Sequence, residues 1–375
     1  MIEYVEIRDP NLNLISIIDY ATSIIWETAY YGAGFFEIYA EATEEAIAVL
    51  TPENYVTRPD NDECGIIETV EIPQDIANGK YVIASGRMAK AVLDRRHIYT
   101  LSGNSNKATI LRGEVESEVR EVVYNNAINC TWNAARNLPL LELGALSGMT
   151  DRIRDESGAA AQKQTSYANL LEYTDAILQE YGFGAKVIIN RDANKLQYVV
   201  FSGVDRSTDN TAGNAPMIFS TDFDNLTGSN YKYDTAAHKN TALVGGAGEG
   251  TDRFYIVLND SAAGMARRET FIDDDSIART YTDDNEEEQT YTDAEYSAML
   301  QTDGMQKLAE FAITETFDGV IDMTNGGYDF GVDYALGDII TIQDNTILKY
   351  INARITTITE TQDENGYNIA IEYGV

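Results

Sequence analysis

The side chains that most often carry chemistry are scarce in this chain of 375 residues: two histidines, His97 and His238, and two cysteines, Cys64 and Cys130. Zinc sites want His, Cys and carboxylates at short spacings such as HExxH or CxxC, and none occurs. His97 lies in DRRHIYTL, on a predicted strand, and reads as a packing or surface residue. A Ser-His-Asp or Cys-His site assembled by the fold stays open, but there is no G-x-S-x-G elbow. Two carboxylates suffice for glycoside hydrolysis, and with 61 acids present the sequence does not single out a pair. Two cysteines make no disulfide framework. The reading is therefore no catalytic, cofactor or metal residues.

Two loops could hold a ligand. LVGGAGEGTDR, 243–253, has neither the GK[ST] of a phosphate-binding loop nor dinucleotide spacing, and reads as a turn or backbone-packing loop. In TQDENGYNIAIE, 361–372, Asp363, Asn365, Gly366 and Glu372 fall at calcium-loop positions, but Thr361 supplies no carboxylate at the first. The flanks ITTITET and YNIAIEY alternate apolar and polar residues, so the segment reads as a β-hairpin with a DENG turn.

The composition is globular, with 44% apolar and 23% charged residues. Lys+Arg 27 against Asp+Glu 61 gives a formal net charge of −34, which repels phosphate backbones and anionic membranes. No apolar run reaches the length of a membrane span, and MIEYVEIRDP is no signal peptide. The expectation is a soluble protein made in a cytoplasm, with neutral, basic or cationic partners.

Stepping from residues to elements, 1–115 is mostly short alternating strands, with EEAIAVL as a helical turn and GIIETVEI paired to KYVIASGR as a hairpin. Val119, Val122, Val123, Ala127 and Cys130 fall at helical spacing. A second helix carries Tyr167, Leu170, Leu171, Thr174, Ile177, Leu178 and Tyr181, with Ser166 as N-cap and Gly182 after its end. A hairpin around DANK follows. Strands then return, broken at 269–303 by twelve acids and one base, Arg279. The run Asp283–Glu288 must face water or a basic neighbour, because isolated buried carboxylates are costly; calcium at Asp283, Asp284 and Glu286–Glu288 is the rival reading. Thr292 and Glu295 form a capping box. They open a helix to about Glu315 that packs through Leu300, Leu308 and Phe311, weakened at Gly304. The expected fold class is α+β and β-rich: two antiparallel β-barrel domains, an α+β domain between them, and a helical insertion in the second barrel. The boundaries are 1–115 for the first barrel, 116–215 for the α+β domain, 216–262 with 316–375 for the second barrel, and 263–315 for the acidic loop and helix.

The segments IIDYATSIIWETAYYGAGFFEIYA, YVTRPDNDECGIIETVEI, AKAVLDRRHI, SYANLLEYTDAILQEYGFG, VVFSGVDRS, FSTDFDNLTGSNY, LVGGAGEGTDR and YALGDIITI with NARITTITET occur in this order across the chain. In type and order they resemble the bacteriophage tail-hub family: siphophage tail-tip hubs, the N-terminal hub part of tail-associated proteins, and baseplate hub subunits of contractile tails. The resemblance implies a virion structural protein and not an enzyme. It implies a homotrimer whose two barrels per subunit make a ring of six, adapting a sixfold tail tube to a threefold tip and passing DNA. It also implies assembly in the host cytoplasm and location at the tail tip or baseplate. The implied partners are the distal tail or tail-tube ring, the tape-measure protein, and separate tip, fibre or receptor-binding proteins. Genomic DNA would meet it only in transit, past an acidic bore, with no specific nucleic-acid binding and no membrane insertion. Ending at Val375, the chain is expected to lack the lysin or fibre extension of many relatives. The alternative is a virion-associated β-rich glycan hydrolase. With 24 Tyr and 11 Phe, aromatic side chains exceed what small barrels absorb. Trp26, Tyr30, Tyr31 and Phe36 are the expected interface residues.

Overall fold

A computed structural model describes residues 1–75, 79–99, 109–154, 158–282, 287–321 and 327–374. The fold is a β-rich α+β fold, about 42% strand and 20% helix, and among the described residues no sheet closes into a barrel. The chain forms two compact units, one of residues 1–153, 160–228 and 320–375, the other of 154–159 and 229–319. The segment 263–315 lies inside the second.

The larger unit is built on two large open sheets. One has seven strands in the order Leu141–Leu143, Lys195–Phe201, Gly184–Asn190, Asn61–Ile66, Tyr55–Arg58, Val5–Arg8, Leu14–Ile18. The other has nine. Its path runs Ile218–Ser220, Ile339–Asp344, Lys349–Asp363, Ala21–Ala29, Phe35–Glu41, Gly79–Arg87, Thr69–Glu71, with Gly366–Gly374 added on Lys349–Asp363 and Gln74–Asp75 on Gly79–Arg87. Early and late strands therefore share one sheet, with Thr357 opposite Ala29 and Glu360 opposite Trp26. The expected barrels are replaced by open ladders. Alternation dictates which face of a strand is buried, but says nothing about which strand lies beside it or whether the sheet closes.

The predicted hairpins form. Gly184 pairs with Phe201 and Asn190 with Lys195; Thr69 pairs with Ser85; Asp363 pairs with Gly366. At the last turn Gly366 has φ +110°, open to glycine, and the Asp363 carboxylate accepts the Asn365 N–H at 2.7 Å. Helix α1 is Glu44–Val49, capped by Thr43. Helix α2, Val115–Val123, runs into a π turn at Tyr124–Ile128. Helix α3 is Leu170–Glu180, and its N-cap is Asn169, not Ser166. Asn169 Oδ1 accepts the N–H groups of Leu171 at 2.9 Å and Glu172 at 3.2 Å. The chain cannot enter the helix earlier because Tyr167 sits at φ +62°. Gly182, φ +70°, ends it as expected. One apolar core joins Cys64, Ile66 and Leu93 to Val119, Leu170, Ile177, Val187 and Tyr198. A second gathers Val5, Ile7, Trp26, Phe36, Ile38, Val56 and Val82.

The smaller unit is built on a three-stranded sheet, Tyr255–Leu258, Thr241–Gly245 and Glu269–Asp273. Helix α4, Asp293–Ala309, packs on it through Tyr296, Leu300, Gly304 and Leu308, an i, i+4 stripe. Thr292 and Glu295 form the predicted capping box. The helix stops before Glu315 because a strand starts at Thr314, and Phe311 lies beyond its end. Gly304 has a packing reason: a Cβ there would come within 2.7 Å of Val244 Cγ2 and 2.9 Å of Leu258 Cδ1. The glycine loop at 243–253 packs likewise. Tyr296 Oη accepts the Ala247 N–H at 2.7 Å and donates to the Ile277 carbonyl at 2.7 Å, and a Cβ on Gly246 would meet that hydroxyl at 2.6 Å.

Candidate assembly surfaces

The residues with chemical potential are engaged in holding the fold. Cys64 and Cys130 are buried free thiols, and burial, with the Glu63 charge beside it, pushes Cys64 up to about 12. His97 Nδ1 lies 3.1 Å from the Tyr167 carbonyl and His238 Nδ1 3.0 Å from that of Phe311. The Glu116 carboxylate accepts three backbone N–H groups, from Ser147 at 2.7 Å and from Gly148 and Met149 at 3.1 Å. Asp338 takes the Val204 N–H at 2.7 Å and Arg206 Nε at 2.8 Å. Among the described residues no three His, Cys, Asp or Glu side chains converge as a metal site. Of the acidic run, Asp283–Glu286 lie outside the described residues; Glu287 and Glu288 are exposed.

The densest ionic feature is a buried clasp in the larger unit. Arg58 bonds Glu360 with both terminal nitrogens, at 2.8 and 2.9 Å, and Asp60 at 2.7 and 3.0 Å. Its guanidinium carbon stands 5.3 Å from the Trp26 ring centroid. Tyr367 Oη donates to Glu360 at 2.6 Å. Burial opposes the charge on Asp60, yet the Arg58 hydrogen bonds and charge hold its carboxyl below the usual range. Arg58 and Glu360 are 302 positions apart, so this pair joins the first and last parts of the chain.

The residues expected at an interface fall largely inside the chain. Trp26, Tyr30 and Phe36 are fully buried, and Tyr31 is half-buried. The Tyr30 hydroxyl finds an internal partner in the Gly182 carbonyl at 2.9 Å, and Arg354 stacks on its ring at 5.2 Å. The surface that sequence reading passed over is the edge strand Leu14–Ile18, where Leu14, Ile15 and Ile17 are 49%, 45% and 47% exposed. Its signal was present: LISII is apolar at both parities, which in an antiparallel sheet marks a strand buried on both faces. This one is an edge, with no strand on its outer side among the described residues and none of the charges or proline that guard such edges within the strand.

The fold is that of phage tail proteins. Structures similar over 99% of this chain include the tail protein from Neisseria meningitidis MC58 (TM-score 0.55, 13% identity, 95% of that chain covered). The 43 kDa tail protein of prophage MuSo2 from Shewanella oneidensis matches with TM-score 0.51, 12% identity and 98% coverage. Prophage tail protein gp18 from Listeria monocytogenes EGD-e gives 0.51, 12% and 94%. Residues 4–375 match the family model described as Siphovirus ReqiPepy6 Gp37-like protein, and the chain belongs to that family. No curated protein matches. The resemblance to phage tail proteins read from the sequence is thus borne out, although the two barrels expected with it are open sheets. No helix among the described residues is long and apolar enough to cross a membrane.

Proposed function

We propose that this chain is a structural subunit of a phage tail, a tail-tip or baseplate hub that assembles as a homotrimeric ring between the sixfold tube and a threefold tip. The observation that carries the reading is the unguarded apolar edge Leu14–Ile18 on a scaffold whose chemically capable side chains are occupied by structure. Such an edge calls for a partner strand or surface. The seven- and nine-stranded sheets of each chain would supply the two quasi-equivalent modules that turn three subunits into six positions. Tyr31, half-buried and in edge contact with buried Tyr30, is the member of the expected set able to reach a neighbour. A trimer carrying about −100 would present an acidic bore along which DNA slides without adhering. Tail-tube, tape-measure and tip proteins would be its neighbours, in the virion.

Light scattering and native mass spectrometry of the purified chain, with electron microscopy of the particle, test this. The expected result is a trimer that the Ile15→Lys, Ile17→Lys double variant reduces to a folded monomer. A monomer in the particle, a lumen lined mainly by Lys and Arg, or peptidoglycan cleavage by the purified chain would overturn it, the last in favour of a glycan hydrolase.

A further inference from the structure

A second surface in the larger unit, remote in sequence from the Leu14–Ile18 edge, has the composition of a recognition site. Tyr99, Trp132 and Tyr167 are 40%, 46% and 65% exposed, and their rings meet edge to face. Tyr99 lies 5.3 Å from Trp132 and 6.0 Å from Tyr167, each pair at 63°. The Arg136 guanidinium carbon sits 4.1 Å from the Tyr99 centroid and 5.1 Å from that of Trp132. Exposed Tyr and Trp around a half-buried Arg is the make-up of binding hot spots.

The cluster is held in place by uncommon backbone. The π turn Tyr124–Ile128 places buried Asn126 so that its Oδ1 accepts the Tyr99 N–H at 3.1 Å while its Nδ2 donates to the Val122 carbonyl at 2.9 Å. Such turns concentrate at functional sites. Tyr167 holds φ +62°, an unfavourable conformation for a large side chain. It is pinned by its N–H to the Ile98 carbonyl at 2.8 Å and by the return bond from Ile98 to Ala168 at 2.8 Å. The strain is maintained while the ring itself is turned to solvent, as at ligand clamps.

The charges are unbalanced. Arg95 pairs with Glu53. Arg96 and Arg136 bond only backbone carbonyls among the described residues: Arg96 those of Arg136 at 2.6 Å and Arg95 at 2.8 Å, Arg136 those of His97 and Asn126. Arg136 Nε is buried with no hydrogen-bond partner among the described residues. Burial, with Arg136 and Arg95 nearby, lowers the pKa of Arg96, so the charge is unfavourable where it stands. In a chain with 61 acids, two neighbouring guanidiniums without a carboxylate partner among the described residues make a gap in the charge pattern.

We propose that this cluster docks a short acidic segment of another protein, its carboxylates taking Arg96 and Arg136 and an apolar side chain entering between Tyr99, Trp132 and Tyr167. Charge complementarity sets the sign of the partner. Rings inclined at 63° form a wedge for a side chain, and not the flat platform on which bases stack. The net charge of −34 also opposes a dense phosphate polyanion more than a segment with a few carboxylates.

The test is fluorescence anisotropy of the full chain with three labelled probes: a short peptide alternating aspartate and leucine, its lysine–leucine counterpart, and oligo-dT. The expected result is saturable binding of the aspartate peptide alone, weakened by salt, and reduced about tenfold or more by Trp132→Ala. Arg136→Gln should do the same, and Tyr167→Ala, at an exposed ring, keeps the test sound should Arg136→Gln not fold. Binding unchanged in all three variants, no binding of the aspartate peptide, or equal binding of the lysine peptide would overturn the proposal. Tighter binding of oligo-dT would make it a nucleic-acid surface instead. Self-association of the chain abolished by Trp132→Ala would assign the face to a second copy.

Discussion

The most buried ion pair of the larger unit contrasts with the exposed pairs that predominate in the smaller. In the larger, Arg58 and Glu360 are both almost wholly buried and join segments 302 positions apart. In the smaller, Arg253–Asp273, Arg267–Asp260, Arg267–Glu269 and Arg279–Asp293 each leave the acid more than half exposed. They link positions 2 to 20 apart. A surface pair contributes about 0–1 kcal/mol, because water already solvates both charges. A buried pair contributes little net stability as a pair, yet losing one member leaves a naked charge in the interior. The larger unit is thus sensitive at its buried pairs, Arg58–Glu360 and Lys90–Asp175, whereas the smaller has one buried acid, Asp274, paired with half-buried Lys307, and depends mainly on how tightly α4 packs on its sheet.

The largest expected effect attacks the clasp. Glu360→Ala should destabilise the larger unit by about 3–5 kcal/mol, seen as a lower urea midpoint by Trp26 fluorescence. Arg58→Met with Glu360→Leu should recover most of it. Recovery no better than the single change would mean that the pair gives more than charge cancellation.

Next in size is the packing of α4. Gly304→Ala improves helix propensity by about 1 kcal/mol, but the added Cβ meets Val244 and Leu258 well inside contact distance. The net expectation is a loss of about 1–2 kcal/mol, confined to the smaller unit in hydrogen exchange. A gain in stability would show that the helix can move off the sheet.

The third prediction has the opposite sign. Burial raises the pKa of Glu63 above its ordinary 4.5, with Lys186 and Lys90 only partly offsetting it. The folded state then holds this proton more tightly, so stability is greatest below 4.5 and falls as pH climbs through the raised value. Glu63→Gln should flatten that fall and stabilise the protein at neutral pH. Glu6 behaves inversely. Burial works against its charge, but the Arg8 and Thr57 hydrogen bonds outweigh it and hold its pKa below 4.5. Its contribution is present above 4.5 and lost as pH drops through the lowered value. Melting of Glu6→Gln and Glu63→Gln across pH separates the two.

The smallest effect is at the cap. Thr292→Ala should cost about 1 kcal/mol, read as faster exchange in the first turn of α4.

How much was legible follows from the range of each interaction. The capping box, the three hairpins, Gly182 and the α4 stripe rest on neighbours a few positions apart, and the sequence displays them. The shift from Ser166 to Asn169 was hidden because it depends on Tyr167 being held left-handed by Ile98 and His97. The sharing of one sheet by Ala21–Ala29 and Lys349–Asp363 was hidden because strand adjacency leaves no periodic trace. Trp26, Tyr30 and Phe36 were expected at an interface because aromatic residues suit one; their burial reflects partners such as Gly182 and Arg58 that lie far away in sequence. Gly304 read as a weak point in a helix, when its lack of a side chain is what lets the helix approach Val244.

The nine-stranded sheet also has a timetable. The strand Ala21–Ala29 leaves the ribosome early, but its partner residues 357–362 are made more than 300 positions later. At ordinary synthesis rates the wait is on the order of tens of seconds. Throughout it, one flank of the strand that carries Trp26 has no neighbour to pair with, and the Arg58 charge has no Glu360. A nascent chain in that state is open to mispairing with other copies on the same message. Yield in the producing cell should therefore respond to temperature and chaperone supply more steeply than the finished fold's stability would suggest.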